Sequence, residues 1–182
     1  MTISTLDDLM AVLEDGKSTD DGEALDALAH SLQCAALLGE SEPDDVELQV
    51  AGLVHDVGTL LAPGRPTTHA NTGADAVVGL LGPRVAALVA NHDQAKRYLV
   101  TTEPAYLGRL SEFSVATLAL QGGEMDGSER AAFEAGEHFA SAVALRRADD
   151  AAKVPGRTVP GLDAWEEPLR RVAELRRPGR GD

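Results

Sequence analysis

Residues 50–61, VAGLVHDVGTLL, set His55 beside Asp56 in a run otherwise without charge. Burying an ionised carboxylate among Val, Leu and Gly costs on the order of several kcal/mol unless a cation or a metal compensates it. Alone, the dipeptide reads equally well as a locally bonded aspartate beside a core histidine. Three further histidines, His30, His69 and His92, and the acidic pair Asp149 and Asp150 shift that balance. Four imidazoles, Asp56 and one carboxylate of the Asp149/Asp150 pair make six donors. That is too many for one tetrahedral zinc and suits two metals bridged by a carboxylate, with Asp56 as the natural bridge. Imidazole and carboxylate with open positions suit Fe, Mn or Co and admit Zn; thiolate-preferring metals are disfavoured because Cys34 is the single cysteine. His138, the fifth histidine, reads as a surface residue, and Cys34 as a small buried apolar one.

The elements that must position these side chains read as helices. Residues 3–14 suit a short amphipathic helix stopped by Gly16, followed by the polar link GKSTDDG. Over 23–40, Leu25, Leu28, Leu32 and Ala36 form one stripe and His30, Cys34 and Leu37 another, so this helix lies inside the fold. Pro43 opens the next helix, with Asp44 and Asp45 at the positive end of its dipole, and that helix is expected to carry His55 and Asp56. After the loop 63–68, His69 starts a helix with Thr72, Gly73, Ala76 and Leu80 on one face. Gly82 and Pro83 punctuate, and Val85, Leu88, Val89, His92, Lys96 and Leu99 share the next stripe. Both His92 and Lys96 therefore face inward. AYLGRLSEFSVATLALQGG reads as two helical pieces ending at a glycine pair, and EMDGSERAAFEAGE as an acidic segment. On the last core helix, HFASAVALRRADDAAKV, the residues Arg146, Asp149 and Lys153 stand at i, i+3 and i+7 with Phe139 and Ala142. A short amphipathic helix over 165–175 and a basic, Gly-rich tail follow.

Composition narrows the class. With 43% hydrophobic but only 3% aromatic residues, Ala, Leu and Val must fill the interior, which favours an all-α bundle. The expected division is an N-terminal helix and mobile link over 1–21, one helical domain over 22–160, and a C-terminal helix with a disordered tail over 161–182. Thirty acids against 16 bases give a net charge of −14, which argues against nucleic acid and acidic membranes as partners. Inward-facing Lys96, Arg146 and Lys153 are costly in such a chain unless they grip a small oxyanion; the competing reading is ion pairing with neighbouring acids. One cysteine fits a reducing compartment, and the acidic N-terminus lacks a basic region followed by an apolar one, so a cytoplasmic location is expected.

The order H, HD, H, H, D resembles the HD-domain superfamily, in HSLQCA at 30–35, HD at 55–56, HANTGA at 69–74 and RRADDAAKVPG at 146–156. The added segments NHDQAKRYL and LSEFSVATLALQGG are similar to its phosphonate-degrading branch, the PhnZ-like diiron oxygenases. The resemblance implies an HD helical bundle with a mixed-valent Fe(II)/Fe(III) pair at its centre, which uses O2 to attack the carbon next to phosphorus. It implies His30, His55, Asp56, His69, His92 and Asp149 as ligands, with Asp56 bridging; Asp149 is preferred to Asp150 as the first of the pair, four residues before Lys153. It further implies Lys96, Arg146 and Lys153 as the phosphonate's partners, with Ser114 and Gln121 as weaker candidates. Asp56, Lys96 and Glu23, which fits the acidic position of a lid, are the residues nearest the chemistry. The chain departs from the branch at Thr59, where a second histidine is usual, at Ala70 for a Glu, at Ala148 for an aromatic and at Asp20 for a tyrosine. These changes point to a reshaped pocket. The same ligand set also serves HD phosphohydrolases, in which metal-bound hydroxide attacks phosphorus on Mn, Co or Zn; a third class, a non-catalytic anion-binding or regulatory domain on the HD scaffold, is weakened by the intact ligand set.

Overall fold

The computed structural model describes residues 2–19 and 25–175. Asp20 and Glu23, and the tail over 176–182, lie outside the described residues. The described residues are all-α, and each helix start has a local chemical cause. Helix α1 (Leu6–Asp15) is capped by the Thr5 hydroxyl. The inner helix α2 (Ala27–Ser41) starts at an Asp26 cap, four residues later than the sequence suggests. Asp45, rather than Pro43, begins α3 (Val46–Val54), its carboxylate accepting from the Leu48 amide at 3.1 Å. That cap supplies one of the acceptors that the open end of a helix needs.

The expectation of one helix through His55 and Asp56 does not hold. Helix α3 stops at Val54, His55 is its C-cap, and Asp56 is the non-helical residue that starts the short α4 (Val57–Leu61). The break turns His55 inward while Asp56 opens onto a cavity. Helix α5 (His69–Thr102) follows, interrupted at Gly82, whose φ of 91° is open to glycine and strained for other residues. Pro83 then restarts the helix. At 34 residues α5 has the length of a membrane span, but more than half of its apolar window is buried inside the bundle. It is the central core helix.

Beyond a 3-10 turn at Leu107–Arg109 come α6 (Glu112–Leu120), α7 (Gly127–Glu134) and α8 (Phe139–Ala151). Helix α7 occupies the segment read only as acidic; a reciprocal capping box between Asp126 and Glu129 nucleates it, and Arg97 pins it through Glu129. Helix α9 (Glu166–Leu175) buries Leu169 and Val172 against the body of the bundle.

The bundle is α2, α3, α5 and α8 packed around Leu28, Leu38, Leu53, Val54, Leu88, Val89 and Leu145, all at most 2% exposed. Each such side chain contributes about 1.5–3 kcal/mol of transfer free energy. A close crossing of α4 on α5, glycine against glycine at Gly58 and Gly73, sets the position of the His69 turn. Gln33 clamps the chain beyond α8 by bonding both the carbonyl and the amide of Val154.

Candidate metal centre

Each of the four histidines donates Nδ1–H to a main-chain carbonyl: His30 to Ala152 at 3.1 Å, His55 to Gly52 at 2.8 Å, His69 to Pro66 at 2.9 Å and His92 to Val89 at 2.7 Å. These bonds leave the four Nε2 atoms as the inward-facing donors, the arrangement in which a second hydrogen bond orients a metal-ligating imidazole. The Nε2 atoms meet in two pairs, His30 with His55 at 3.2 Å and His69 with His92 at 2.9 Å.

Asp56 stands between the pairs. Its Oδ2 is 3.4 Å from His55 Nε2 and 3.9 Å from His30 Nε2, while its Oδ1 is 3.4 Å from His69 Nε2 and 3.6 Å from His92 Nε2. One carboxylate thus offers one oxygen to each histidine pair. Asp149 adds Oδ1 to the first pair, 3.2 Å from His30 Nε2 and 3.8 Å from His55 Nε2. Two potential metal groups share a residue here: His30, His55 and Asp56, and Asp56, His69 and His92.

Electrostatics test whether these groups fit cations. Nitrogen lone pairs cannot meet at about 3 Å in a dry interior without a positive charge between them. Burial opposes charge on His55, yet Asp56 and Cys34 beside it hold its pKa well above the ordinary imidazole value. Burial likewise opposes charge on His69, and Asp56 brings it up to about 9. Burial pushes His92 down to about 4. Burial would raise Asp56 and Asp149, but His55 beside the first and Arg146 beside the second hold both well below the carboxylate range. His55 in one pair and His69 in the other are thus held toward the protonated form, and a metal ion at each pair would take the place of that proton. The donor set fits two metals.

The sequence-derived anion partners line a cavity of about 530 Å³ above this cluster, together with Thr19, Ala27, Thr59, Arg65, Phe113 and Thr117. Lys96 is buried and donates to the Thr117 hydroxyl at 3.0 Å; burial, and then the charge of Arg146, lowers its pKa to about 8. Lys153 lies past the end of α8, not on its face, and reaches back to the Ser114 hydroxyl at 3.1 Å. Gln121 Nε2 donates to Pro66 O, and among the described residues its Oε1 has no partner. Arg146 is paired with Asp149 at 2.8 Å, with Asp150, and with the Tyr106 hydroxyl at 3.2 Å. It takes the ion-pair alternative, holding the Asp149 carboxylate in place at the cavity wall. Thr59 lines the cavity, whereas Ala70 and Ala148 are buried and Cys34 is fully buried beside His55. His138 is half-buried at the start of α8 and belongs to neither histidine pair. Sequence reasoning assigned nothing to Asp93, which lines the same cavity beside His92; the second HD dipeptide, His92–Asp93, was the available signal.

A helical bundle with two histidine pairs around a shared aspartate defines a class of protein, and the comparisons agree with it. The HD-domain family matches residues 27–147, and the chain belongs to that family. Within it, the chain is 33% identical over 152 residues to the [1-hydroxy-2-(trimethylamino)ethyl]phosphonate dioxygenase (glycine-betaine-forming) of Leisingera caerulea, covering 79% of this chain and 76% of the relative. It is also 33% identical over 166 residues to the hydroxymethylphosphonate dioxygenase of Gimesia maris, covering 86% and 82%. The chain has the features of a metal-dependent HD-type enzyme.

Proposed function

We propose that the protein is an O2-dependent diiron oxygenase that hydroxylates or cleaves a small organophosphonate, or a similar anion, at the carbon next to phosphorus. The observation that carries this reading is Asp56, whose two oxygens face separate histidine pairs beneath a cavity lined with lysines. The two similar dioxygenases, both named for phosphonate substrates, support the choice of reaction and substrate class.

His30, His55, Asp56 and Asp149 would hold one iron, and His69, His92 and Asp56 the other. When bound, the Fe(II)/Fe(III) pair supplies the one-electron chemistry with O2 that carbon–hydrogen cleavage needs. The chain's own groups do the rest. Lys96 and Lys153 offer ammonium donors, and Ser114 a hydroxyl, to the phosphonate oxygens, while Thr117, whose own hydroxyl donates to Ser114 O, positions Lys96. Gln121 Oε1 is an acceptor in need of a donor and suits a hydroxyl or amino group on the substrate. Arg146 fixes Asp149 and keeps positive charge behind the anion. Thr59, which lines the cavity, would meet the substrate's far end. The cavity is roomier than a one-carbon phosphonate requires, which favours a substrate with a further substituent. A reducing cytoplasm suits a centre that includes Fe(II).

The test is turnover of a phosphonate panel by iron-loaded protein, read by an oxygen electrode and by 31P NMR. Oxygen uptake matched to loss of phosphonate is expected. Phosphorus-ester hydrolysis without oxygen uptake would assign the site to the phosphohydrolase class instead.

A further inference from the structure

The two histidine pairs are unequally provided with carboxylate. The first pair faces Asp149 as well as one oxygen of Asp56, while the second is left with the other oxygen of Asp56. Beside that second pair lies an acid with no role so far. Asp93 is only 8% exposed and lines the cavity. Its Oδ1 is 3.6 Å from His92 Nε2, the same separation that Asp56 Oδ1 keeps from that atom. Its Oδ2 is 3.7 Å from His69 Nδ1, and Lys96 Nζ is 3.9 Å from Oδ1.

None of these contacts is a hydrogen bond, and among the described residues Asp93 receives none. Its neighbours have other acceptors: the His69 Nδ1–H has Pro66 O, the His92 Nδ1–H has Val89 O, and one of the three Lys96 ammonium donors has the Thr117 hydroxyl. The two imidazoles are therefore oriented without Asp93. A buried carboxylate without a hydrogen-bond donor depends on nearby positive charge; the Lys96 ammonium at 3.9 Å supplies part of it, and a metal ion at the second pair would supply the rest. Asp93 would also repel a phosphonate resting on Lys96 unless its charge were drawn elsewhere.

We infer that Asp93 is the second metal position's own carboxylate, the counterpart of Asp149 at the first. This rests on the two-metal reading of the site. With it, each position is faced by two histidines, one private carboxylate and one oxygen of the shared Asp56. Asp93 also keeps the metal-loaded second position closer to neutral, leaving Lys96 to the substrate.

The experiment is Mn(II) titration of metal-free protein, followed by calorimetry and by EPR of free Mn(II), for wild type and Asp93→Asn. Wild type should bind two Mn(II) per chain. Asp93→Asn should bind the first normally and the second about 10–100-fold more weakly, the usual scale for losing a carboxylate that supports a metal site. Asp93→Glu should recover part of the loss, and circular dichroism of the metal-free variants checks folding; if Asp93→Asn does not fold, Asp93→Ser takes its place. Two unchanged affinities in a folded variant lacking the carboxylate would overturn the inference. Fewer than two sites in wild type would instead count against the two-metal reading itself.

Discussion

Gly58 is the position at which the packing and the site depend most directly on one atom. A Cβ placed there would lie 1.9 Å from the carbonyl oxygen of His69, 2.8 Å from its carbonyl carbon and 2.7 Å from the Gly73 amide nitrogen. Non-bonded carbons rest at about 3.5–4.0 Å, so the overlap exceeds about 1 Å, and the obstacles are backbone atoms that no rotamer change can move. Overpacked core sites usually cost about 1–3 kcal/mol. A clash of this kind belongs at the upper end, and we expect Gly58→Ala to lose about 3 kcal/mol or more. In a protein of this size that lowers Tm by roughly 6–12 °C. Helix α4 must also back away from the first turn of α5, which moves His69 relative to Asp56, so the second metal should be weakened before the first. Thermal unfolding of the metal-free protein and Mn(II) titration read the two effects separately. Gly79→Ala is the control: its Cβ meets nothing within 4 Å on the exposed side of α5, and it should gain about 0.5–1 kcal/mol from helix propensity. A Gly58→Ala protein that melts within about 2 °C of wild type and binds both metals normally would refute the packing argument.

Two further expectations concern the helix ends and the cavity. Asp45 caps α3 and pairs with Arg84, which holds its carboxyl below the ordinary range, so its contribution is full above the unfolded value of about 4 and is lost as pH falls through the lower folded value. Asp45→Ala should cost about 1–2 kcal/mol at pH 7 by urea unfolding, and the difference from wild type should shrink as the pH drops below about 4. Lys96→Ala removes a charge-assisted donor worth about 1.5–3 kcal/mol, so the Kd of metal-loaded protein for a phosphonate should rise about 10–100-fold by calorimetry while two metals remain bound. An unchanged Kd would take Lys96 out of the anion site.

Much of this arrangement was legible in the residues. His30, His69 and His92 fall on the inner faces that helical spacing gives them, because a 3.6-residue period in an Ala- and Leu-rich chain determines which side is buried. The break between His55 and Asp56 was not legible. Val50 to Val54 and Val57 to Leu61 read as one apolar helix, and the reason to interrupt it is the convergence of side chains from distant helices. Arg146 illustrates the same limit: spacing put it on the face of Asp149, but Tyr106 and Asp150, which take two more of its donors, become visible only in three dimensions. Asp93 was not legible because neighbouring residues on a helix point about 100° apart, and the 3.6 Å approach of its Oδ1 to His92 Nε2 shows only in three dimensions. Lys153 reaches the cavity from beyond the end of α8, where helical periodicity says nothing.

The proposed function requires a carboxylate-bridged diiron centre that turns over a phosphonate. Low-temperature EPR with metal analysis, on protein purified without oxygen, partly oxidised and mixed with a phosphonate panel, tests it most directly. Two irons per chain and a spin-one-half signal from coupled Fe(II)/Fe(III) that changes with one phosphonate are predicted. Redox-silent zinc, or manganese or cobalt supporting hydrolysis without oxygen uptake, would contradict it.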